Sequence, residues 1–292
     1  MSRARVLCVG VNPALDITLV LDGLDADRVN RVESEHRQAA GKAANVACAL
    51  ASKGVSTALC GCYGGDTWAE WNALFGKRST DVELLPVITP GCTRQNITLL
   101  ADGKTVKINR AGDAVDVQAV EKLTSLLTSW LRPEDVVVFT GSIPPGMSRE
   151  QYLELMKHAS DMGARIAVDT DGLTESELLS VRPWLYKPNA HELSKLCGVN
   201  SDDDEVLIQQ ASRLARCGVG TVLLTLGSRG LAAVTRMETV RIAAGKVRVV
   251  NTVGAGDAAL AAYIEAFLSG ELPSGCARAA ALAGEQAVSE AF

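Results

Sequence analysis

The stretch Thr252-Val253-Gly254-Ala255-Gly256-Asp257-Ala258-Ala259 follows a short β-type run over 246–251 and opens a long apolar helical pattern. It brings together a small-residue turn, a helix start and one carboxylate. Backbone N–H groups at a helix start carry partial positive charge and bind anions, phosphates above all. Asp257 in that place either caps the helix or stands beside the bound anion as a base. Gly254-x-Gly256-x-x-Ala259 also matches the dinucleotide-binding fingerprint in form. That fingerprint opens a βαβ unit and needs an acidic residue about 20 positions on, at the end of the next strand. Here two helical patterns follow instead, over 255–269 and 273–291, and Glu271 lies in the turn between them with no strand before it. The dinucleotide reading is set aside, and an anion-binding helix start remains.

Upstream, strand-like runs over 6–11, 136–140, 165–169, 184–187, 220–226 and 231–235 alternate with helical patterns over 149–162, 190–197 and 203–217. Such alternation predicts βαβ units around a mostly parallel sheet with helices on both faces, an α/β protein. Two regions, about 14–36 and 93–110, alternate with period 2 instead (Asp16-Ile17-Thr18-Leu19-Val20; Asn96-Ile97-Thr98-Leu99; Thr105-Val106-Lys107-Ile108), with turn chemistry at Asp102-Gly103. They read either as a small separate sheet, placed to cover a site as a lid, or as the edge of the main sheet. With no internal repeat, low-complexity tract or long linker, residues 1–292 are expected to form a single domain with a small lid.

Composition bounds the function. The 292 residues are 47% hydrophobic and 22% charged, an ordinary globular balance. A net charge of −5 offers no general attraction for nucleic acid or acidic membranes. No apolar run approaches the ~20 residues that span a bilayer. Arg3 and Arg5 lead straight into the first strand, so no signal peptide is expected. The eight cysteines are scattered, and the Cys60/Cys62 pair lacks the partners of a zinc site. Reduced, buried thiols and a cytoplasmic location are therefore expected.

Several further elements sit where one kind of structure gives way to another. Ala39-Ala40-Gly41-Lys42-Ala43-Ala44-Asn45-Val46-Ala47 opens a helix to about Lys53. Its small residues allow close backbone approach, Lys42 offers a point charge to an anion, and Asn45 can bond a hydroxyl. It is no Walker A loop, and a small-residue helix packed closely on the sheet explains it as well. Arg94, in Thr93-Arg94-Gln95-Asn96, either forks onto a phosphate or carboxylate or is a solvated edge-strand arginine. In Lys187-Pro188-Asn189-Ala190-His191-Glu192, Asn189 and Glu192 have capping-box spacing, or else help to hold a hydrated Mg2+ near phosphates. Thr225-Leu226-Gly227-Ser228-Arg229-Gly230 and Thr140-Gly141-Ser142-Ile143-Pro144-Pro145-Gly146 are turns past strand ends, where ligands gather in parallel α/β sheets.

Taken in order, with Asn12-Pro13-Ala14-Leu15-Asp16, these elements resemble the ribokinase-like sugar kinases and, within them, the phosphofructokinase B branch, over almost the whole chain. The likeness is strongest to 1-phosphofructokinases and tagatose-6-phosphate kinases, and Gly254-Ala255-Gly256-Asp257 is its most specific signature. The resemblance implies transfer of the γ-phosphoryl group of ATP to a sugar hydroxyl, on a doubly wound α/β core with a β-sheet lid. It gives Asp257 the role of base, and the amides of Gly254, Ala255 and Gly256 that of an anion hole. It assigns Asp16 and Asn45 to sugar hydroxyls, Lys42 and Arg94 to a phosphate already on the sugar, and Gly41 and Asn96 to the same pocket. Asn189 and Glu192 would support Mg2+ through water, while Lys187, Thr225, Gly227, Ser228 and Gly230 would serve the nucleotide. The lid implies a homodimer.

Two cations in the sugar-facing motifs, Lys42 and Arg94, point to a phosphorylated ketohexose. Fructose 1-phosphate is placed ahead of tagatose 6-phosphate and fructose 6-phosphate, which need the same cationic pocket. Ala43 stands where the family usually has glycine, and if that position needs φ > 0 its Cβ costs about 1 kcal/mol or more. Asn251 and Ala258 stand where Asp and Ser are common, and the sequence stops at Phe292, soon after its last helix, which would thin the wall around the adenine. Ala43 and the short end support one rival of another class, a catalytically weak sugar- or nucleotide-binding sensor. Asp257 argues against it.

Overall fold

Valine-rich runs bounded by turn residues form the central strands of the computed structural model, which describes residues 4–170, 172–245, 247–248 and 254–289. In chain order the elements are β1 (Val6–Val9), β2 (Ala14–Leu21), β3 (Val32–Ala40), α1 (Lys42–Ala51), β4 (Thr57–Gly64), α2 (Gly65–Gly76) and β5 (Val82–Thr89). Then come β6 (Arg94–Ala101), β7 (Lys104–Asn109), α3 (Val117–Trp130), β8 (Val136–Thr140), α4 (Arg149–Asp161), β9 (Arg165–Asp169) and α5 (Glu175–Val181). The remainder are β10 (Leu185–Tyr186), α6 (Ala190–Leu196), α7 (Asp204–Arg216), β11 (Thr221–Thr225), β12 (Leu231–Thr235), β13 (Thr239–Ile242), α8 (Ala255–Leu268) and α9 (Pro273–Ser289).

Among the described residues, nine strands form one sheet in the order β13-β12-β11-β10-β9-β8-β1-β4-β5. Every pairing from β5 across to β11 is parallel, and the β11-β12-β13 edge is antiparallel. The chain moves outward from β1 through β4 and β5, then resumes at β8 on the other side of β1. The strand order reverses there, which is where doubly wound sheets bind ligands. Helices cover both faces, so the central strands read as continuous apolar runs. Leu7, Val9, Val137 and Phe139 pack under α3 to α7, while Val6, Cys8, Val136 and Val138 pack under α1, α2, α8 and α9.

The two period-2 regions form a separate four-stranded sheet, β3-β2-β6-β7, and are not an edge of the large one. Asp102 and Gly103, both at positive φ, make its tight β6–β7 turn. Strand register sets Ile17, Ile97 and Ile108 in one row and Leu19, Leu99 and Val106 in the next on the same face. Asp16 and Asn96, one residue earlier, take the opposite face. Trp71 of α2 fixes this sheet to the body: it is fully buried, lies against Phe75, and its Nε1 donates to the Ala14 carbonyl at 2.9 Å.

Some boundaries differ from expectation. Strand β3 runs on to Ala40, so Ala39 and Ala40 are strand and the helix starts at Lys42; Gly41, at φ 120, makes the break. The strand expected over 184–187 is only Leu185–Tyr186. Most of the expected run over 246–251, together with Thr252 and Val253, lies outside the described residues, and Val247 and Arg248 are not in a strand. Among the described residues no helix is long and apolar enough to cross a membrane.

Candidate active site

Where the strand order reverses, a cavity of about 340 Å³ opens, lined by Asn12, Gly41, Lys42, Arg94, Ser142 and Glu192 among others. Asn12 follows β1 and Ser142 follows β8; the Asn12 Nδ2 donates to the Ser142 Oγ and to the Ala111 carbonyl, each at 3.1 Å. Two helices that pack on each other, α1 and α8, begin beside this region. Both start at a glycine with no side-chain cap, Gly41 and the left-handed Gly254. Helices α3 to α7 are each capped by a side chain, from Asp116, Ser148, Thr174, Asn189 and Asp203. Among the described residues no side chain accepts from the first-turn amides of α8, and Asp257 does not cap it. Such an end is an anion seat.

Asp257 is buried, and its Oδ2 accepts from the Asn45 Nδ2 at 2.7 Å. Its other oxygen has no hydrogen-bond partner among the described residues. Asp169, at the carboxyl end of β9, is 1% exposed and shared by two ammoniums, Lys42 at 3.2 Å and Lys187 at 3.3 Å. A Cβ added at Gly256 would stand 3.1 Å from the Lys187 Nζ, so this buried cation lies against the first turn of α8. The two carboxyls are driven apart. Burial alone would raise Asp169, but Lys187 and Lys42 outweigh it and hold that group below the usual range. Asp257 is pushed up to about 6, by burial first and the Asp169 charge second, against the Asn45 bond and the two ammoniums. Separation of this kind distinguishes a permanent anion from a proton acceptor.

On the other side of the cavity stands Arg94, at the start of β6. Its Nε is buried without a hydrogen-bond partner, it has no ion pair among the described residues, and burial lowers its proton affinity. Lys42 reaches the same cavity with its ammonium already on Asp169. Asn96 Nδ2 donates to Asp16 Oδ1 at 2.9 Å, while the buried Asn96 Oδ1 has no partner. Asn189 and Glu192 form the capping box of α6: Asn189 Oδ1 accepts from the Glu192 amide, and Glu192 Oε2 from the Asn189 amide, each at 2.8 Å. Glu192 also lines the cavity, and its other oxygen has no hydrogen-bond partner among the described residues. Thr225 ends β11 beside Asn189 and donates to the Pro188 carbonyl at 3.4 Å. Gly227, Ser228 and Gly230 follow along the same sheet edge, outside the 340 Å³ cavity.

Residues 3–291 match the family described as pfkB family carbohydrate kinase. The chain belongs to that family. A protein named 1-phosphofructokinase from Rhodobacter capsulatus is 36% identical over 274 residues, which cover 91% of this chain and 84% of that protein. A tagatose-6-phosphate kinase from Staphylococcus epidermidis is 28% identical over 259 residues, covering 88% and 83%. Among solved structures, phosphofructokinase-2 from Escherichia coli in complex with fructose-6-phosphate superposes with a TM-score of 0.90 at 24% identity, over 98% of this chain and 94% of that one. Ribokinase from Arabidopsis thaliana complexed with ribose and ATP gives 0.77 at 23% identity, over 100% and 94%. At these identities the two structures establish the ribokinase-like fold.

As a pfkB kinase the protein is a phosphotransferase acting on an alcohol group. The motifs after β1, before α1, at β6, after β8 and at α8 do converge. Ala43, however, is not strained: it is the second residue of α1, and the non-glycines at positive φ among the described residues are Asp102, Glu134 and Arg182. Its methyl stands 2.6 Å from where a Cβ on Gly10 would be, so Gly10 supplies the room. Asp169, which holds both lysines, carries one signal in the sequence, an acid at the carboxyl end of a strand.

Proposed function

We propose that this kinase transfers the γ-phosphoryl group of ATP to a free hydroxyl of a phosphorylated ketohexose, fructose 1-phosphate before the alternatives. The observation that carries the reading is the buried, raised carboxyl of Asp257 at the uncapped start of α8, a base beside an anion seat. Asp257 takes the proton of the attacking hydroxyl through the oxygen that Asn45 leaves unbonded. A proton affinity near neutrality suits that task. The Gly254, Ala255 and Gly256 amides, with Lys187 behind Gly256, stabilise the negative charge that develops on the transferred group. Arg94 is the cation left to hold the phosphate the sugar already carries, with Lys42 assisting from its bond to Asp169. Asp16, Asn96 and Asn45 offer hydrogen bonds to the sugar hydroxyls. The named 1-phosphofructokinase relative, at 36% identity, supports fructose 1-phosphate.

No group of three His, Cys, Asp or Glu residues among those described is arranged to hold a metal. The single unbonded Glu192 oxygen suits Mg2+, which keeps several waters and takes few carboxylates from the protein; Asn189 acts through the cap that positions Glu192. Bound with the nucleotide, Mg2+ supplies neutralisation of phosphate charge. Thr225, Gly227, Ser228 and Gly230 form the nucleotide side. The apolar rows of the small sheet, with Val106 and Ile108 exposed, support its role as a lid that pairs with a second copy in a homodimer. Eight free cysteines support a reducing, cytoplasmic setting.

The test is an ATP-consumption screen over fructose 1-phosphate, tagatose 6-phosphate, fructose 6-phosphate, fructose, ribose and adenosine. The highest kcat/KM is expected with fructose 1-phosphate. Preference for an unphosphorylated acceptor overturns the substrate assignment, and turnover of none overturns the reading as an active kinase in favour of the sensor.

A further inference from the structure

We infer that Arg78 is a positioning residue for phosphoryl transfer: it fixes the orientation of the Asn45 amide, so that a donor and not an acceptor meets Asp257 and the carboxyl is kept ready to take the proton. Arg78 lies just beyond α2, half-buried, in a loop that carries none of the site motifs. Its Nη2 donates to the Asn45 Oδ1 at 2.9 Å and its Nη1 to the Ala39 carbonyl at 2.5 Å. It has no carboxylate partner among the described residues. A guanidinium only donates hydrogen bonds. The Asn45 oxygen must therefore face Arg78, and the Asn45 NH2 must face Asp257, where it donates to Oδ2. The amide has one orientation available to it, and it meets Asp257 as a donor.

Without Arg78, Asn45 is free to turn its carbonyl toward Asp257. An amide oxygen there accepts a hydrogen bond from the protonated carboxyl and favours that form, whereas the NH2 favours the carboxylate. The charged groups around Asp257 remain in place: Asp169 from β9, Lys42 from α1 and Lys187 from the segment after β10. Cys48, one turn after Asn45 on α1, also lies near Arg78: burial pushes its thiol up and the Arg78 charge acts against that. Arg78→Met also removes a positive charge, so the shift that reports the amide is the one that persists in the charge-keeping Arg78→Lys.

This inference rests on Asp257 being the base, so the experiment tests the two separately. Wild type, Arg78→Met, Asn45→Ala, the double variant and Asp257→Asn are compared by kcat, KM and the pH dependence of kcat. Arg78→Met is expected to lower kcat by roughly 10- to 100-fold, the scale of a misplaced catalytic group. KM for ATP should stay within about threefold, and the acid limb should move to higher pH. The double variant should be no slower than Asn45→Ala, because Arg78 acts only through Asn45. An unshifted acid limb, or a double variant whose losses multiply, overturns the inference. If Arg78→Met does not fold, Arg78→Lys keeps the charge but cannot fork onto both acceptors, and the same shift or its absence decides. Should Asp257→Asn turn over at the wild-type rate, the base assignment itself falls. A dead Asp257→Asn beside an unchanged Arg78 variant removes Arg78 alone.

Discussion

Replacing Asp257 by asparagine should make this kinase nearly inactive and, above pH 6, more stable. The loss of a general base slows turnover by about 10²–10⁴-fold. The gain in stability follows from where the carboxyl sits. Its proton affinity rises from an ordinary 3.8 to about 6 on folding, because burial and Asp169 disfavour the charged form. Below pH 4 it is protonated in both the folded and unfolded chains, and ionisation costs nothing. Between pH 4 and 6 the unfolded chain releases the proton first, so native stability falls as pH rises. Above pH 6 the penalty is complete, and the difference from 3.8 to about 6 corresponds to about 3 kcal/mol. Asparagine has no charge to bury, and its oxygen can still accept from Asn45. Thermal unfolding at pH 8 should therefore show the variant on the order of 5–10 °C above wild type, an advantage that shrinks toward zero at pH 4. A variant of equal or lower Tm at pH 8, or one whose advantage does not depend on pH, would refute the claim that Asp257 is held in an environment hostile to its charge.

Three further outcomes are expected. Arg94→Ala should raise KM for the phosphosugar by roughly 10- to 100-fold, the scale of hydrogen bonds to a charged group, with KM for ATP little changed; equal effects on both would remove Arg94 from the sugar side. Glu192→Gln keeps an oxygen for the α6 capping box but loses the charge. Its unfolding midpoint should match wild type while the Mg2+ concentration for half-maximal rate rises several-fold, and an unchanged Mg2+ requirement would confine Glu192 to capping. Trp71→Ala empties a fully buried site and leaves the Ala14 carbonyl without its donor, so denaturant unfolding should show a loss of about 3–5 kcal/mol.

The fold was legible wherever local pattern and tertiary placement agree. Strands β9 and β12 fall on their expected bounds because each is a short apolar run between clear turns, and the period-2 segments are strands with one apolar and one polar face, though their pattern alone left open which sheet they join. The boundary before α1 was not legible, since Ala39 and Ala40 suit a helix by propensity and are strand only because they pair with Leu15 and Ala14. In the candidate site, residues that stand beside a glycine turn or a helix start announce themselves. Asp169 and Arg78 do not: the first matters because two lysines distant in sequence meet on it, the second because a loop after α2 folds back onto α1. Contacts of that range leave no periodicity to read.

The chain passes between the two sheets at four places; three line the cavity and the fourth is bonded to its wall. Asn12 and Pro13 lead into β2, and β3 ends at Ala40 and hands on to Gly41; Arg94 begins β6, and the exit from β7 passes Ala111, bonded to Asn12. The segments that carry the small sheet are thus also walls of the pocket. Were that sheet to turn, the pocket would change with it, and a molecule filling the pocket would resist the turn. A substitution remote from the chemistry but close to a crossing, such as one at Ala111, would then act on substrate fit and sheet posture together.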